Sequence, residues 1–152
     1  MTVEEAARRA FRDIPAARVA TLDPRGAPHL AALWFVWRED ALYFSVRQGG
    51  ATWRNAEADP RVAVVIDRGR DWSELSGVRL EGFAHVFAAE HPDVRAVMSG
   101  WHEKYRSMLS GKGFEAFAGD VPSLGFLRFE PAAIDPLREQ ASRAVVRSRR
   151  RP

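Results

Sequence analysis

Short runs of β-forming residues, separated by turn signals, are the feature that most constrains how this chain can fold. Each run is apolar, β-branched or aromatic at alternate positions or throughout, as half-buried and buried strands are. There are six of them: ARVATL (17–22), PHLAALWFVW (28–37), ALYFSV (41–46), VAVVID (62–67), GVRLEGFAHVF (77–87) and LGFLRFEP (124–131). Tight turns at 23–26 and 38–40 predict that the first three runs form an antiparallel meander, which the later runs continue.

Helical spacing of apolar residues is found in two places, at 3–12 and at 89–109. Six strands with one substantial late helix do not give the strand–helix alternation of a doubly wound parallel sheet. We therefore predict a mainly β (α+β) fold, a six-stranded antiparallel barrel that is closed or half-closed. A short N-terminal helix precedes it, and one longer helix comes before the last strand. On the fifth strand we expect Leu80, Phe83 and Val86 to point inward.

Composition limits the class of protein. A chain of 152 residues can form one domain, which we place at residues 1–136, with a core that needs no disulfide. The absence of cysteine excludes disulfides and thiolate metal sites. The N-terminal segment lacks the apolar centre of a signal peptide, and no run reaches the roughly 20 apolar residues of a membrane span. These features predict a cytoplasmic protein with no membrane partner.

The net charge of +3 is concentrated at the C-terminus. Residues 137–152 contain six arginines and one glutamate, so the rest of the chain has a small negative balance. No aromatic residue is interleaved with these arginines, as it is in many single-strand nucleic-acid binders. We expect a basic, disordered tail at 137–152 and do not expect nucleic acid as a partner.

Most of the familiar catalytic motifs are missing. The four histidines show no spacing of the HExxH kind, and no serine stands in a GxSxG elbow, so neither a metal site nor a serine nucleophile is expected. His29 and His102 remain as weak candidates for proton transfer.

The connection GGATWRNAEADPRV, at 49–62, is longer than a hairpin requires. A glycine turn that leads into a short helix presents unpaired backbone N–H groups, which suit an anion such as phosphate. Arg47, Arg54 and Arg61 bracket this stretch. The alternative reading is that the glycines only let the chain cross from the third strand to the fourth.

The order GAPHLAALWFVW, ALYFSV, TWRNAEADPRVAVVID and GVRLEGFAHV resembles the pyridoxamine 5'-phosphate oxidase-like superfamily of FMN-binding split barrels. The resemblance covers residues 17–87 well and is closest to the small bacterial oxidoreductases that use FMN or the deazaflavin coenzyme F-420. It implies a homodimer with two cofactors in grooves at the interface, and hydride transfer to a small organic substrate. A non-catalytic flavin- or haem-binding protein of the same fold is the alternative, with haem the less expected cofactor.

The resemblance also implies which residues bind the cofactor. The connection would hold the phosphate, and the second and third strands would form walls for the ring. Trp72 and Trp101 could add to the substrate side. In relatives a threonine, a serine and a lysine stand where this chain has Val46, Gly50 and Thr52, and we expect position 52 to lie outside the core. The predicted cofactor-binding residues are Trp34, Phe35, Ser45, Val46, Arg47, Gly50, Thr52, Trp53, Arg54 and Asn55.

Overall fold

The computed structural model describes residues 2–71, 73–106, 108 and 124–137. The arginine-rich segment 138–152 and Trp72 lie outside these residues. The elements, in chain order, are α1 (Val3–Phe11), β1 (Ala16–Leu22), β2 (Pro28–Arg38), β3 (Ala41–Arg47), α2 (Ala51–Ala58), β4 (Arg61–Arg68), β5 (Ser76–Ala88), α3 (Pro92–Arg106) and β6 (Leu124–Pro136).

The six strands form a closed antiparallel barrel in the order β1-β2-β3-β6-β5-β4. The barrel closes where β4 pairs with β1, with Val19 opposite Val64. This confirms the predicted six-stranded barrel, and α1 and α3 confirm the predicted helices. The short helix expected after the glycine turn is α2. Among the described residues, no helix is long and apolar enough to cross a membrane.

The long strand β2 changes partner along its length. It pairs with β1 from Pro28 to Trp34 and with β3 from Phe35 to Arg38. Because β1 begins at Ala16, the backbone of Phe35 lies just beyond the last β1–β2 pair. The end of the β1–β2 ladder, at Pro15 and Phe35, is called the β1–β2 seam. There the Tyr105 hydroxyl of α3 accepts a hydrogen bond from the Phe35 N–H (2.7 Å) and donates one to the Pro15 carbonyl (2.7 Å). A buried seam between two strands is thus satisfied by a side chain.

The core consists of two clusters on either side of the sheet. The barrel interior holds side chains from all six strands, including Phe35, Phe44 and Phe129, which are fully buried. The second cluster lies between α3 and the outer face of β2, β3 and β6, and is built around Trp101 and Tyr105. Period-two alternation along the strands supplies both clusters, because neighbouring residues face opposite sides.

Two sequence predictions about β5 and β6 were wrong in detail. Phe83 points outward and is 52% exposed, whereas Leu80 and Ala84 are fully buried. Strict alternation along β5 puts residue 83 on the face opposite residues 80 and 84. Strand β6 continues past Pro131 to Pro136, since a bulge beside Glu81 and Gly82 accommodates the proline.

The helix before the last strand is shorter than predicted. It begins at Pro92, a residue whose fixed φ suits the first helical position, and ends at Arg106. Met108, which the helical spacing placed on the apolar face, lies beyond the end of the helix and is 37% exposed.

Candidate functional site

The connection between β3 and α2 is a glycine turn that runs directly into the helix. Gly49 has φ +68°, in the left-handed region that favours glycine. The Gly50 N–H donates to the Arg47 carbonyl (3.0 Å), and a Cβ at position 50 would lie 3.1 Å from that same oxygen. The two glycines therefore allow an abrupt entry into α2.

The N-terminus of α2 has no side-chain cap. Gly50 is the N-cap residue, and the first turn contains no acidic residue. The first hydrogen bond of the helix runs from the Arg54 N–H to the Gly50 carbonyl (3.0 Å). The preceding N–H groups, at the positive end of the helix dipole, form a surface suited to an anion.

Two arginines add positive charge at this helix start. The Arg54 guanidinium donates to the Gly49 carbonyl, so the side chain folds back over the glycine turn. Arg47 is exposed at the end of β3. Arg61 has a different role, because it pairs with Asp59 (2.6 Å) and its side-chain hydrogen bond lowers the pKa of Asp59 to about 2.

Thr52 and Asn55 face the barrel and not the solvent. The Asn55 Nδ2 donates to the Thr21 hydroxyl (3.1 Å), and both side chains are buried. Thr52 is 9% exposed, so the expectation that position 52 lies outside the core was wrong. The reason is that α2 packs against β1, β3 and β5, and this packing turns one face of the helix inward.

Trp53 covers the beginning of β6. A Cβ at Gly125 would lie 2.3 Å from the Trp53 ring, so only glycine fits beneath the indole. The ring is half-buried and packs against the interior cluster. Trp53 thus fixes α2 to the end of the barrel.

The other predicted wall residues lie on opposite faces of the sheet. The Phe35 and Val46 side chains are buried in the barrel interior, where only their backbone atoms can reach an external ligand. Trp34 lies under α3 and stacks on Tyr105, with ring centroids 4.8 Å apart. Ser45 is half-buried and is paired with Phe126 of β6.

The two candidate histidines lie on different elements. His29 is half-buried on β2, and its partner across the ladder is Thr21, the residue that bonds Asn55 of α2. His102 is half-buried on α3. His29 is therefore the histidine that the fold brings toward the β3–α2 connection. Within the described part of the chain, no three His, Asp or Glu residues form a group that could hold a metal ion.

Lys104 and Tyr105 are two polar residues at the seam that sequence reasoning missed. Lys104 Nζ donates to the Phe35 carbonyl (2.8 Å), and burial lowers the pKa of this amine to about 7. Burial also raises the pKa of the Tyr105 phenol. Helical spacing could have predicted that Lys104 lies on the buried face of α3, because it follows Trp101 by three residues and shares its helical face.

A sequence model of the pyridoxamine 5'-phosphate oxidase family matches residues 3–138. The chain belongs to this family. The match takes in the whole barrel and α2, and it confirms the resemblance found in the sequence. No curated protein matches the chain.

Several solved structures share the family's split-barrel fold with this chain. A conserved hypothetical protein from Mycobacterium tuberculosis is 22% identical, with a TM-score of 0.71, and the match covers 90% of this chain and 84% of that one. The haem storage protein HutZ from Vibrio cholerae is 15% identical (TM-score 0.70; 88% and 94% covered). An F420 reductase is 19% identical (TM-score 0.62; 84% and 94% covered). At these identities the likeness is one of fold.

Proposed function

We propose that this member of the pyridoxamine 5'-phosphate oxidase family is an oxidoreductase that binds FMN or F-420, with the cofactor phosphate at the β3–α2 connection. The observation that carries the proposal is the uncapped start of α2, over which the Arg54 guanidinium is folded. Membership of the family supports a flavin-type ligand, and the F420 reductase shares the fold.

The residues present fit a phosphate, although not with the family's usual side chains. Val46 is buried and has no hydroxyl, Gly50 has no side chain, and the Thr52 hydroxyl lies on the inward face of α2. Guanidinium groups can replace a lysine, because they bind phosphate through two parallel hydrogen bonds. Arg47, Arg54 and the first N–H groups of α2 would hold the phosphate.

A bound flavin or deazaflavin would supply hydride chemistry, which no side chain of this protein offers. The contribution of the chain is to bind and orient. Arg47 and Arg54 anchor the phosphate end, and the tie between Asn55 and Thr21 fixes α2 against the barrel. His29, the ladder partner of Thr21, is the group placed to hold or move a proton near the connection.

We also propose that two copies form a homodimer through the outer face of β2, β1, β4 and β5. Leu30 and Phe83 are exposed there, at 67% and 52%. Between them, small residues of the ladder join the strands, with Ala20 opposite both Leu30 and Ala63. The same face carries Arg61 opposite Phe83 and Glu81 opposite Ala63, so the apolar patch has charged neighbours. An apolar patch beside charged residues is typical of a surface that a partner covers.

The absorbance spectrum of the purified protein, followed by titration with FMN, F-420 and haem, tests the cofactor class. The proposal predicts a flavin or deazaflavin spectrum and saturable binding of one of the two. Haem binding without flavin binding would favour the alternative function, a non-catalytic haem-binding protein with the fold that this chain shares with HutZ. Turnover with a reduced cofactor then separates an enzyme from a binding protein.

A further inference from the structure

An apolar cavity lies between the start of α3 and the beginning of β6. Its volume is about 680 Å³. Most of the described residues that line it are apolar, and they include Met98, Leu124 and Phe126. The remaining lining side chains are those of Glu90, His91 and Arg95. A concave, mainly apolar site with a few polar groups is typical of a site for a small organic ligand.

This cavity adjoins the β3–α2 connection through Leu124. The Leu124 carbonyl accepts a hydrogen bond from the Gln48 side chain (3.0 Å), and Leu124 is the ladder partner of Arg47. Two positions further along the same face of the ladder, Phe126 is paired with Ser45. A ligand in the cavity would therefore lie beside two of the predicted cofactor-binding residues, Ser45 and Arg47.

His91 is held in one tautomer at this cavity. Its ring packs on Phe87, with ring centroids 4.4 Å apart, and its Nδ1 accepts the Asp93 N–H (3.3 Å) at the start of α3. Because Nδ1 accepts this bond, the proton of the neutral imidazole is on Nε2. The side chain is 39% exposed, and no acceptor within the described part of the chain takes the Nε2 proton. His91 therefore offers a donor to a ligand.

The charges around the cavity favour an uncharged ligand. Glu90 and Arg95 are both exposed and carry opposite charges. With His91 neutral, the described lining has no net charge. The ligand that suits it has an apolar body and a neutral hydrogen-bond acceptor for the His91 Nε2.

We propose that this cavity binds an uncharged, apolar carbonyl compound whose carbonyl oxygen accepts a hydrogen bond from the His91 Nε2. The apolar body of the ligand lies against Met98 and Phe126. The cavity is then the substrate pocket of the oxidoreductase, an assignment that rests on the function proposed above. Its lining names the substrate class as apolar ketones or aldehydes without charge.

The methionine methyl groups provide a direct probe of the cavity. The chain has three methionines, of which Met98 lines the cavity and Met108 lies beyond the end of α3. The full-length protein, with isotope-labelled methionine methyl groups, is titrated with α-tetralone and followed by NMR. Tetralin, which has the same two-ring skeleton without the carbonyl group, is the matched ligand.

We expect a saturable shift of the Met98 methyl signal with both ligands, while the Met108 signal stays in place. In the parent, the nitrogen NMR signal of the His91 Nε2 should shift with tetralone and not with tetralin. A Met98 signal that does not move, or that moves no more than that of Met108, would overturn the proposal. An Nε2 signal that responds equally to both ligands would also overturn it.

Substitution of His91 then measures the contribution of the hydrogen bond. His91→Phe keeps a ring against Phe87 but has no donor, so the ratio of tetralone affinity to tetralin affinity should fall by about three- to tenfold. His85→Phe, at an exposed position on β5, is the control and should keep the parent ratio. Unchanged tetralin binding confirms that the cavity of the variant is intact. An equal ratio in the parent and in His91→Phe would contradict the proposal.

Repeating the titration with FMN or F-420 present separates the cavity from the proposed function. A substrate pocket beside the cofactor predicts that the bound cofactor changes the tetralone affinity by about fivefold or more. A tetralone affinity that a bound cofactor leaves unchanged would overturn the substrate assignment. If neither cofactor binds, the proposed function and this assignment both fail, whereas tetralone binding at Met98 would still support the ligand site.

Discussion

The bond between Asn55 and Thr21 ties α2 to the first strand of the barrel, and both partners are buried. Asn55→Ala leaves the Thr21 hydroxyl in a buried site without this donor. We expect the free energy of unfolding to fall by about 1–3 kcal/mol, measured by urea denaturation. Glu57→Ala, on the exposed side of the same helix, should change it by less than about 0.5 kcal/mol. Equal effects of the two substitutions would show that the tie does not stabilise the fold.

Lys104 gives the stability of the protein a pH dependence whose sign follows from its pKa. The pKa is about 7 in the folded protein and 10.5 as the ordinary value. Between these pH values the unfolded chain binds more protons, so the cost of burying this amine falls and the protein becomes more stable as the pH rises from about 7 to 10.5.

Urea unfolding of the parent and of Lys104→Met at pH 7.0 and 9.5 measures this effect, because the other groups titrate in both proteins and cancel. The parent should gain stability relative to the variant at the higher pH. An unchanged difference between the two proteins would mean that the Lys104 pKa is ordinary.

Among the elements, α3 is attached to the barrel at the β1–β2 seam through the Tyr105 hydroxyl. Tyr105→Phe keeps the ring but removes the acceptor of the Phe35 N–H and the donor to the Pro15 carbonyl. We expect hydrogen exchange of the Phe35 amide to become at least tenfold faster, since that amide loses its partner. Tyr43→Phe, which removes a hydroxyl bonded to Arg128, is the control and should leave the Phe35 amide protected. Exchange at Phe35 that is equally slow in both variants would contradict this role.

The sequence was informative about the elements that follow a regular period. The predicted strands agree with the observed ones within one residue at each end, except that β6 was stopped at Pro131. That error came from treating proline as the end of a strand, although a bulge tolerates it. Phe83 was misplaced because its neighbours were not counted in strict alternation.

The site was less predictable than the fold, because its residues depend on how α2 packs. The glycine turn and its arginines could be read locally from GGATWRN. The inward orientation of Thr52 and Asn55 requires the barrel end against which α2 lies, and no local pattern encodes that contact. The seam formed by Tyr105, Phe35 and Pro15 joins residues far apart in the chain, so spacing alone could not reveal it.

At the scale of the whole molecule, the proposed homodimer would cover Leu30 and Phe83, which are exposed on the outer face of the barrel. Leu30→Glu places a charge in the centre of the proposed interface, where desolvation disfavours association. We expect sedimentation at micromolar concentration to give a dimer for the parent and a shift toward monomer for Leu30→Glu. Met108→Glu, an exposed apolar residue beyond the end of α3, is the control and should remain dimeric. A parent that sediments as a monomer would refute the dimer.

The central claim is that two arginines at the β3–α2 connection hold a cofactor phosphate. The most direct measurement compares the affinity of FMN with that of riboflavin, and of F-420 with its phosphate-free deazaflavin, in the parent and in Arg47→Ala, Arg54→Ala and the double variant. Arg38→Ala, at the opposite end of the β2–β3 hairpin, is the control.

For whichever cofactor binds, the parent should prefer the phosphate-bearing form. At least one single variant should lose about ten- to a hundredfold in affinity for that form, or about 1.5–3 kcal/mol. The double variant should keep only the smaller preference that the N–H groups of α2 supply, and affinity for the phosphate-free form should not change. If the parent binds both forms equally, or if the double variant keeps the full preference of the parent, the connection is only a crossover between strands and the central claim is wrong.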